Sequence, residues 1–315
     1  MMRSKILKEL RNEFEKRNLE GFIQVKGDLF GGENVHESDE RIKAISGFSG
    51  SAGIAIILVN KAILFVDGRY TIQASEEVNH EWEIGKLVKN EWIEWLFSNI
   101  KKNEVIGYDP WLIRGKQISE LKKYPFILSA EKQNPIDKVW INRPSFYKNH
   151  LIKWDERLAG ETSLLKIKKL TAKMKKMGIS DLIIDEPYQL SWLLNIRGCA
   201  LSFSPLFLGF GILNQDKTLN IFIERKHSTS IQIQNNFIVH DISKIDSFIT
   251  NLKSKKIAVN LSSCPAIFKD ILSNSGKVFE ENFNALSRSI SIKNKTEISN
   301  IKKSHCRDGS HLVRF

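Results

Sequence analysis

One succession of elements is written twice along this chain, and that repetition constrains the fold more than any single motif. From Lys5 to Lys16, the residues Ile6, Leu10 and Phe14 fall on one face of a helix, and the run Gly21 to Val25 follows as a strand. Residues 163–177 repeat the helix with Ile167, Leu170, Met174 and Met177 as its buried stripe, and Asp181 to Asp185 repeats the strand. Each copy continues with a glycine-bearing loop and a hairpin, Gly47 to Val66 in the first and Arg197 to Ile223 in the second. Ile54 to Leu58 and Ala62 to Val66 are β-rich runs joined by a polar turn at Asn60 and Lys61, and Asn214 to Lys217 is the second turn. A helix and a strand come next, at Glu91 to Ile100 and Val105 to Tyr108, then again at Ile245 to Leu252 and Ile257 to Leu261. Helices at Arg114 to Leu121 and Pro265 to Ser273, with extended ends at Phe126 to Ser129 and Lys277 to Glu280, complete the copies. Helices alternating with strands around a hairpin predict an α/β fold of two tandem domains, each a mixed sheet flanked by helices. Pro135, Pro144 and the polar run Lys148 to Arg157 mark the boundary.

Length supports that division, since 315 residues at roughly 150 per domain give two. A hydrophobic content of 42% with 27% charged residues is that of a soluble globular chain able to fill two cores. Cys199, Cys264 and Cys306 are odd in number and lack metal or redox spacing, which fits a reducing cytoplasm. The amino-terminal helix has no uninterrupted apolar stretch for export, and no run is long enough to span a membrane. The net charge of +12 is uneven: residues 1–150 hold 23 basic and 21 acidic side chains, residues 151–315 hold 25 and 15. Nucleic-acid binding by the second half is nevertheless disfavoured, because the lysines at 166, 168, 169, 173, 175 and 176 read mostly as the solvated face of an amphipathic helix. The bases of the tail, Lys293, Lys295, Lys302, Lys303, Arg307 and Arg314, can instead face a partner domain.

The stretch Ser38 to Tyr70 carries Gly47, Gly50 and Gly53 within otherwise apolar sequence, a pattern suited to an unusual backbone path or a close neighbour. Known glycine motifs fail on spacing. G-x-x-G-x-x-G before a strand is not the dinucleotide G-x-G-x-x-G before a helix, and no Gly-Lys-Ser/Thr follows for a P-loop. Gly47 to Ser51 ends in serine where a nucleophile elbow needs glycine, so Ser49 and Ser51 read as turn residues.

Residues 33–70 resemble the amino-terminal domain of Xaa-Pro aminopeptidases (aminopeptidase P) of the creatinase/prolidase superfamily, particularly the three-domain form. Gly107-Tyr108-Asp109-Pro110, Asn134 to Asp137 with Trp140 and Arg143-Pro144, and Ser191 to Gly198 follow in the family's order. Ile292 to Phe315, with Lys293-Asn294 and Arg307 to Gly309, resembles the linker and opening helix of the family's catalytic domain. The resemblance implies two ribonuclease-H-like domains, residues 1–147 and 148–290, and a helical stub of a third at 291–315. It places the family's two divalent ions, manganese or zinc, on ligands downstream of Phe315, so that no cofactor is expected in this chain. A metal lowers the pKa of bound water from about 15.7 to about 7, worth on the order of 12 kcal/mol. No single side chain replaces that, and the chain is expected to be inactive alone, as a truncated product or one piece of a split gene. A scaffold or dimerisation module that has lost the chemistry is the alternative. Homodimer contacts, a separately encoded catalytic domain and short peptides with proline second are the partners implied.

Four residues are candidates for a substrate-facing or interface role: Arg41, Phe48, Arg69 and Arg197. Arg41 lies in a polar turn where its guanidinium can clamp a peptide carboxylate or carbonyl, or equally pair with Asp39, Glu40 or Asp67. Phe48 suits an exposed apolar wall or the core alike. Arg69, two residues after Asp67 and on its side of the chain, can pair with it. Trp192 reads as core and Arg197 as exposed beyond it. Full-length relatives usually carry Asp and His in the following loop, where this chain has Ala200 and Phe203, although Pro205 is kept. His305, Asp308 and His311 drift by about 60° per step of three around a helix and so do not converge on a metal.

Overall fold

The computed structural model describes residues 2–145, 150–224, 237–254 and 256–315, with side chains from Lys5 onward. The chain forms two compact units, one of Met1–Tyr147 with Leu261–Asp270, the other of Lys148–Asn260 with Ile271–Phe315. Lys148 and Asn149, at the expected boundary, lie outside the described residues.

In the first unit a six-stranded sheet runs β4-β3-β2-β1-β5-β6, built from β1 (Gly21–Val25), β2 (Gly53–Leu58), β3 (Ala62–Val66), β4 (Glu83–Lys86), β5 (Val105–Tyr108) and β6 (Ile127–Ala130). The hairpin β2/β3 is antiparallel and β1 joins it antiparallel, while β4, β5 and β6 add in parallel. Strands β1 to β3 are buried at every residue, as a sheet covered on both faces requires. One face packs Ile23, Ile56 and Phe65 against Trp92, Ile93 and Leu96 of the helix Glu91–Asn99. The other packs Phe22, Ala55 and Ile57 against Leu7, Leu10 and Phe14 of the helix Met2–Lys16.

The second unit repeats the order. Its strands are β7 (Leu151–Lys153), β8 (Asp181–Ile184), β9 (Ile196–Gly198), β10 (Phe210–Asn214), β11 (Leu219–Ile223), β12 (Phe237–Asp241), β13 (Lys256–Ala258) and β14 (Val278–Glu280). They form a sheet β12-β11-β10-β8-β13-β14 and a separate antiparallel pair β7/β9. Position for position, and direction for direction, the large sheet is that of the first unit. The duplicated plan read from sequence is thus a duplicated sheet.

Edge strands β4 and β12 are additions to that plan. Glu83–Lys86 reads Glu-Ile-Gly-Lys and is mostly exposed, the charged and glycine-broken composition that discourages edge pairing. Two helices also go beyond it, Arg41–Ser46 and Pro187–Leu194, each placed between the first strand of its sheet and the hairpin. Both end on a residue in the left-handed region, Gly47 at φ 95° and Asn195 at φ 52°. Arg41 therefore opens a helix instead of sitting in a turn. In the second unit Met177 is half exposed and Lys166 is buried, so the helix Ser163–Lys176 faces its core one lysine deeper than its periodicity suggests.

Gly21 begins β1 against β2 with no space beside it, since a Cβ there would stand 2.5 Å from Leu58 Cδ2 and 2.6 Å from the Ile57 carbonyl. Gly21→Ala is expected to destabilise the first unit by about 1–3 kcal/mol. The same substitution at Gly178, where nothing lies within 4 Å of the added atom, serves as the comparison in urea unfolding, although its φ of +67° adds backbone strain. Equal losses at the two positions would remove the close-approach explanation.

Candidate functional site

The glycine loop is a packing device before it is anything else. Gly47 caps the helix Arg41–Ser46, and Gly50 is bare because the Phe48 ring fills the place of a side chain, its Cζ 2.2 Å from where a Cβ would be. Phe48 is fully buried against Tyr70, the rings edge to face at 5.7 Å. Ser49 is tied to the helix Thr71–Glu77 through Glu77, which accepts from its amide at 2.7 Å and its hydroxyl at 2.5 Å.

Arg41 is 6% exposed and its guanidinium is fully engaged within the first unit. Nε and Nη2 donate to the two oxygens of Asp137 at 2.8 and 3.0 Å, a bidentate fork, and Nη1 donates to Asp39 at 3.0 Å. Arg143 closes the set, with Nη1 2.8 Å from Asp137 and Nε donating to the Ser38 carbonyl at 2.8 Å. Burial pushes the Arg41 pKa down, but the hydrogen bond and charge of Asp137 outweigh it and hold the group above its ordinary range. Of the alternatives open for each, Arg41 thus takes the ion pair and Phe48 the core. Arg69 is exposed and pairs with Asp67 at 2.8 Å.

What the same loops do build is a cleft of ≈ 740 Å³ in the first unit, at the carboxyl ends of β1 and β3, where Val25, Ser51 and Arg69 meet Trp92 and Arg114. The crevice outside the carboxyl ends of an open α/β sheet is where such folds place ligands. Arg114 is set by the turn Gly27 to Gly32: Nη1 and Nη2 donate to the carbonyls of Leu29 and Asp28, each at 3.3 Å. The turn is itself held by Asp28, whose Oδ1 accepts from the amides of Phe30 and Gly32 at 2.9 and 3.0 Å. Burial pushes the Asp28 carboxyl up from the ordinary carboxylate range. Sequence reading missed this wall, although the Gly31-Gly32 pair ahead of the longer glycine loop was a signal for it.

In the second unit Arg197 is half-buried over the Trp154 ring at 4.7 Å and donates to the Ile196 carbonyl at 2.8 Å, and burial pushes its pKa down. Trp192 donates from Nε1 to Glu297 at 3.1 Å. Beneath it Lys166 donates to the Trp192 carbonyl at 2.8 Å and Asn195 Oδ1 at 2.7 Å, its Nζ 4.0 Å from the Trp192 ring centroid. Burial pushes this ammonium down to about 8. Phe203 is fully exposed at φ 60°, a backbone region that bulky side chains rarely adopt.

Two family models described as the creatinase/prolidase N-terminal domain match this chain, one over residues 6–137 and the other over 142–297. The chain belongs to the creatinase/prolidase family. Among its relatives, Xaa-Pro aminopeptidase 1 of Dictyostelium discoideum is 30% identical over 99% of this chain and 52% of its own length. A probable Xaa-Pro aminopeptidase P of Laccaria bicolor is 29% identical over 98% and 50%. The fold is that of the X-prolyl aminopeptidase from Caenorhabditis elegans, described as a cytosolic enzyme with a di-nuclear active site, at a TM-score of 0.90 and 23% identity over all of this chain and 55% of that one. The chain spans about half the length of the curated relatives it matches.

These creatinase/prolidase N-terminal domains bring no metal-holding group of three His, Cys, Asp or Glu side chains together among the described residues. His305, Asp308 and His311 lie exposed on the helix Lys295–Arg314. Among the described residues no helix is long and apolar enough to cross a membrane.

Breaking the buried pair by Arg41→Met is expected to cost about 3 kcal/mol, with Arg41→Lys losing less because charge is kept and only the fork is lost. Differential scanning calorimetry reads both. For Lys166, the folded pKa lies below the unfolded value of 10.5, so the unfolded state binds more protons between the two. Stability is expected to rise by on the order of 2 kcal/mol between pH 7 and pH 10, relative to Lys166→Met, in urea titrations at each pH. A flat difference would show that the ammonium is not held at a cost.

Proposed function

We propose that this chain is the non-catalytic amino-terminal portion of an aminopeptidase-P-like protein, whose complete form removes the first residue from peptides with proline second. Two consecutive N-terminal-domain matches, over residues 6–137 and 142–297, in relatives about twice as long, carry this reading. In it the two divalent ions, manganese or zinc, belong to the catalytic domain, and the present chain supplies walls and interfaces. The helix Lys295–Arg314 supports the reading, because its residues from Ile301 on are all exposed, Leu312 and Val313 included, as an element packed on a further domain would be when seen alone. Its Asn294 cap is anchored within the second unit, donating to the Ala159 carbonyl at 2.8 Å, which supports a domain start at this helix. A cytoplasmic setting and a homodimer belong to the same proposal. A second reading, a scaffold that keeps the fold without the chemistry, is favoured by Ala200 and the exposed Phe203.

The purified chain is expected to leave an Xaa-Pro dipeptide uncleaved with added manganese or zinc, and a separately expressed catalytic domain of the family is expected to bind it and gain activity toward longer Xaa-Pro peptides. Cleavage by the chain alone would overturn the first part. A catalytic domain that neither binds nor gains activity would leave the scaffold.

A further inference from the structure

We propose that the groove between the helices Ser163–Lys176 and Ala285–Ser291 binds a small organic molecule carrying two or more negative charges, a bisphosphate or a tricarboxylate. The proposal does not rest on the peptidase reading, since every residue it uses lies in the second unit.

The groove, at ≈ 400 Å³, falls in the range of small-molecule sites, about 300–1,000 Å³. Lys166, Lys169, Lys173 and Lys176 line it from one helix, Leu286 and Ser289 from the other, and Trp192 from the helix Pro187–Leu194. Glu161 is the one carboxylate among the described lining residues. These charges are partly met within the unit. Lys169 is paired with Glu161, and Lys173 donates to the neutral Ser289 hydroxyl at 3.0 Å. Lys176 meets no acceptor among the described residues. Lys166, 3% exposed, donates to two neutral oxygens, those of the Trp192 carbonyl and the Asn195 amide. Glu297 and Glu161 act on its charge favourably and Arg197 unfavourably. Five cations thus stand against two carboxylates, one of which already serves Lys169.

Two features separate this groove from an ordinary solvated lysine face. Its inner wall holds a buried ammonium, which burial pushes down to about 8 in spite of both carboxylates, and an anion seated beside it would favour the charged form. Its floor is apolar: Leu170 and Leu286 are buried, and the half-buried Trp192 ring lies with its centroid 4.0 Å from Lys166 Nζ. A carbon skeleton can therefore rest there while its charges reach outward. Lys169, Lys173 and Lys176 are exposed and follow one another at steps of four and three along the helix, which makes each a neighbour of the next. Three ammonium groups on flexible stems, spread along a turn or two of helix, match separated charges on one ligand better than a single carboxylate.

Isothermal titration of the full chain tests this with four probes: fructose bisphosphate, citrate, acetate and neutral fructose. At least one of the two multivalent anions is expected to bind with one-to-one stoichiometry, and which one does so separates phosphate from carboxylate. Acetate and fructose are each expected to bind at least tenfold more weakly. The double variant Lys173→Gln/Lys176→Gln is expected to keep its melting temperature and weaken binding at least tenfold. Lys168→Gln/Lys175→Gln removes the same charge from the same helix outside the groove and is expected to leave affinity within twofold. At about pH 8.5, where Lys166 is partly neutral, binding is expected to take up protons, read as a heat that depends on the buffer, and Lys166→Met to abolish that uptake. Equal weakening by the two double variants, equal affinity for acetate, binding without proton uptake, or no binding of either multivalent anion at millimolar concentration would overturn the proposal. None of these results depends on peptidase activity.

Discussion

The first unit depends on a buried charge cluster that ties its end to its beginning. Arg41 opens the helix after β1, while Asp137 and Arg143 lie about a hundred residues later, beyond β6. An arginine taken out of water at 6% exposure is costly unless its fork is met, and here Asp137 meets it on two nitrogens and Asp39 on a third. The cluster holds the helix Pro135–Val139 beside the loop that leads into the glycine segment. Asn134 extends the connection inward, donating to Gln24 of β1 at 2.9 Å and to Asp109 at 3.0 Å. Everything that shapes the cleft wall, the Gly27 to Gly32 turn included, hangs between these fixed points.

The second unit secures its own helix before the hairpin with different chemistry. Its helix Pro187–Leu194 is pinned by Lys166, whose ammonium sits under Trp192 and donates to the Trp192 carbonyl in the helix's last turn and to the side-chain oxygen of Asn195, a favourable end for a cation. One copy uses an arginine matched by carboxylates, the other a lysine matched by neutral carbonyls. The electrostatic consequence differs accordingly. Arg41 is held above its ordinary range by Asp137, whereas burial pushes Lys166 down to about 8, only partly opposed by the charges of Glu297 and Glu161.

Much of this was legible in the sequence because it is local. Gly21 to Val25, Val105 to Tyr108 and both hairpins follow from runs of β-branched residues and their turns, and the two copies reinforce each other. Strand β4 was not legible, since Glu-Ile-Gly-Lys carries no apolar alternation to read, while β12, which opens on the apolar run Phe237 to Val239, was left unassigned because neither copy of the plan had a strand at that place. Arg41 was recognised as important, and its pairing with Asp39 was among the alternatives, but Asp137 stands 96 residues away and spacing alone cannot join them. Lys166 shows the converse error: in a lysine-rich helix, composition says nothing about which lysine turns inward.

The cleft illustrates why a site is harder to read than a fold. Its lining includes the end of β1, the Gly31-Gly32 turn, the start of β2, Arg69 beyond β3, the segment after β4 and the helix Gly115–Leu121, stretches with no common motif. The long glycine loop drew attention because glycines cluster there, yet Gly50 serves the buried ring of Phe48 and Gly47 serves a helix end. At Gly31, which has a positive φ, the group pressed where a side chain would go is instead the Arg114 guanidinium. Glycine marks close approach in both cases, to a hydrocarbon ring at Gly50 and to a guanidinium at Gly31, and spacing in the sequence does not tell the two apart.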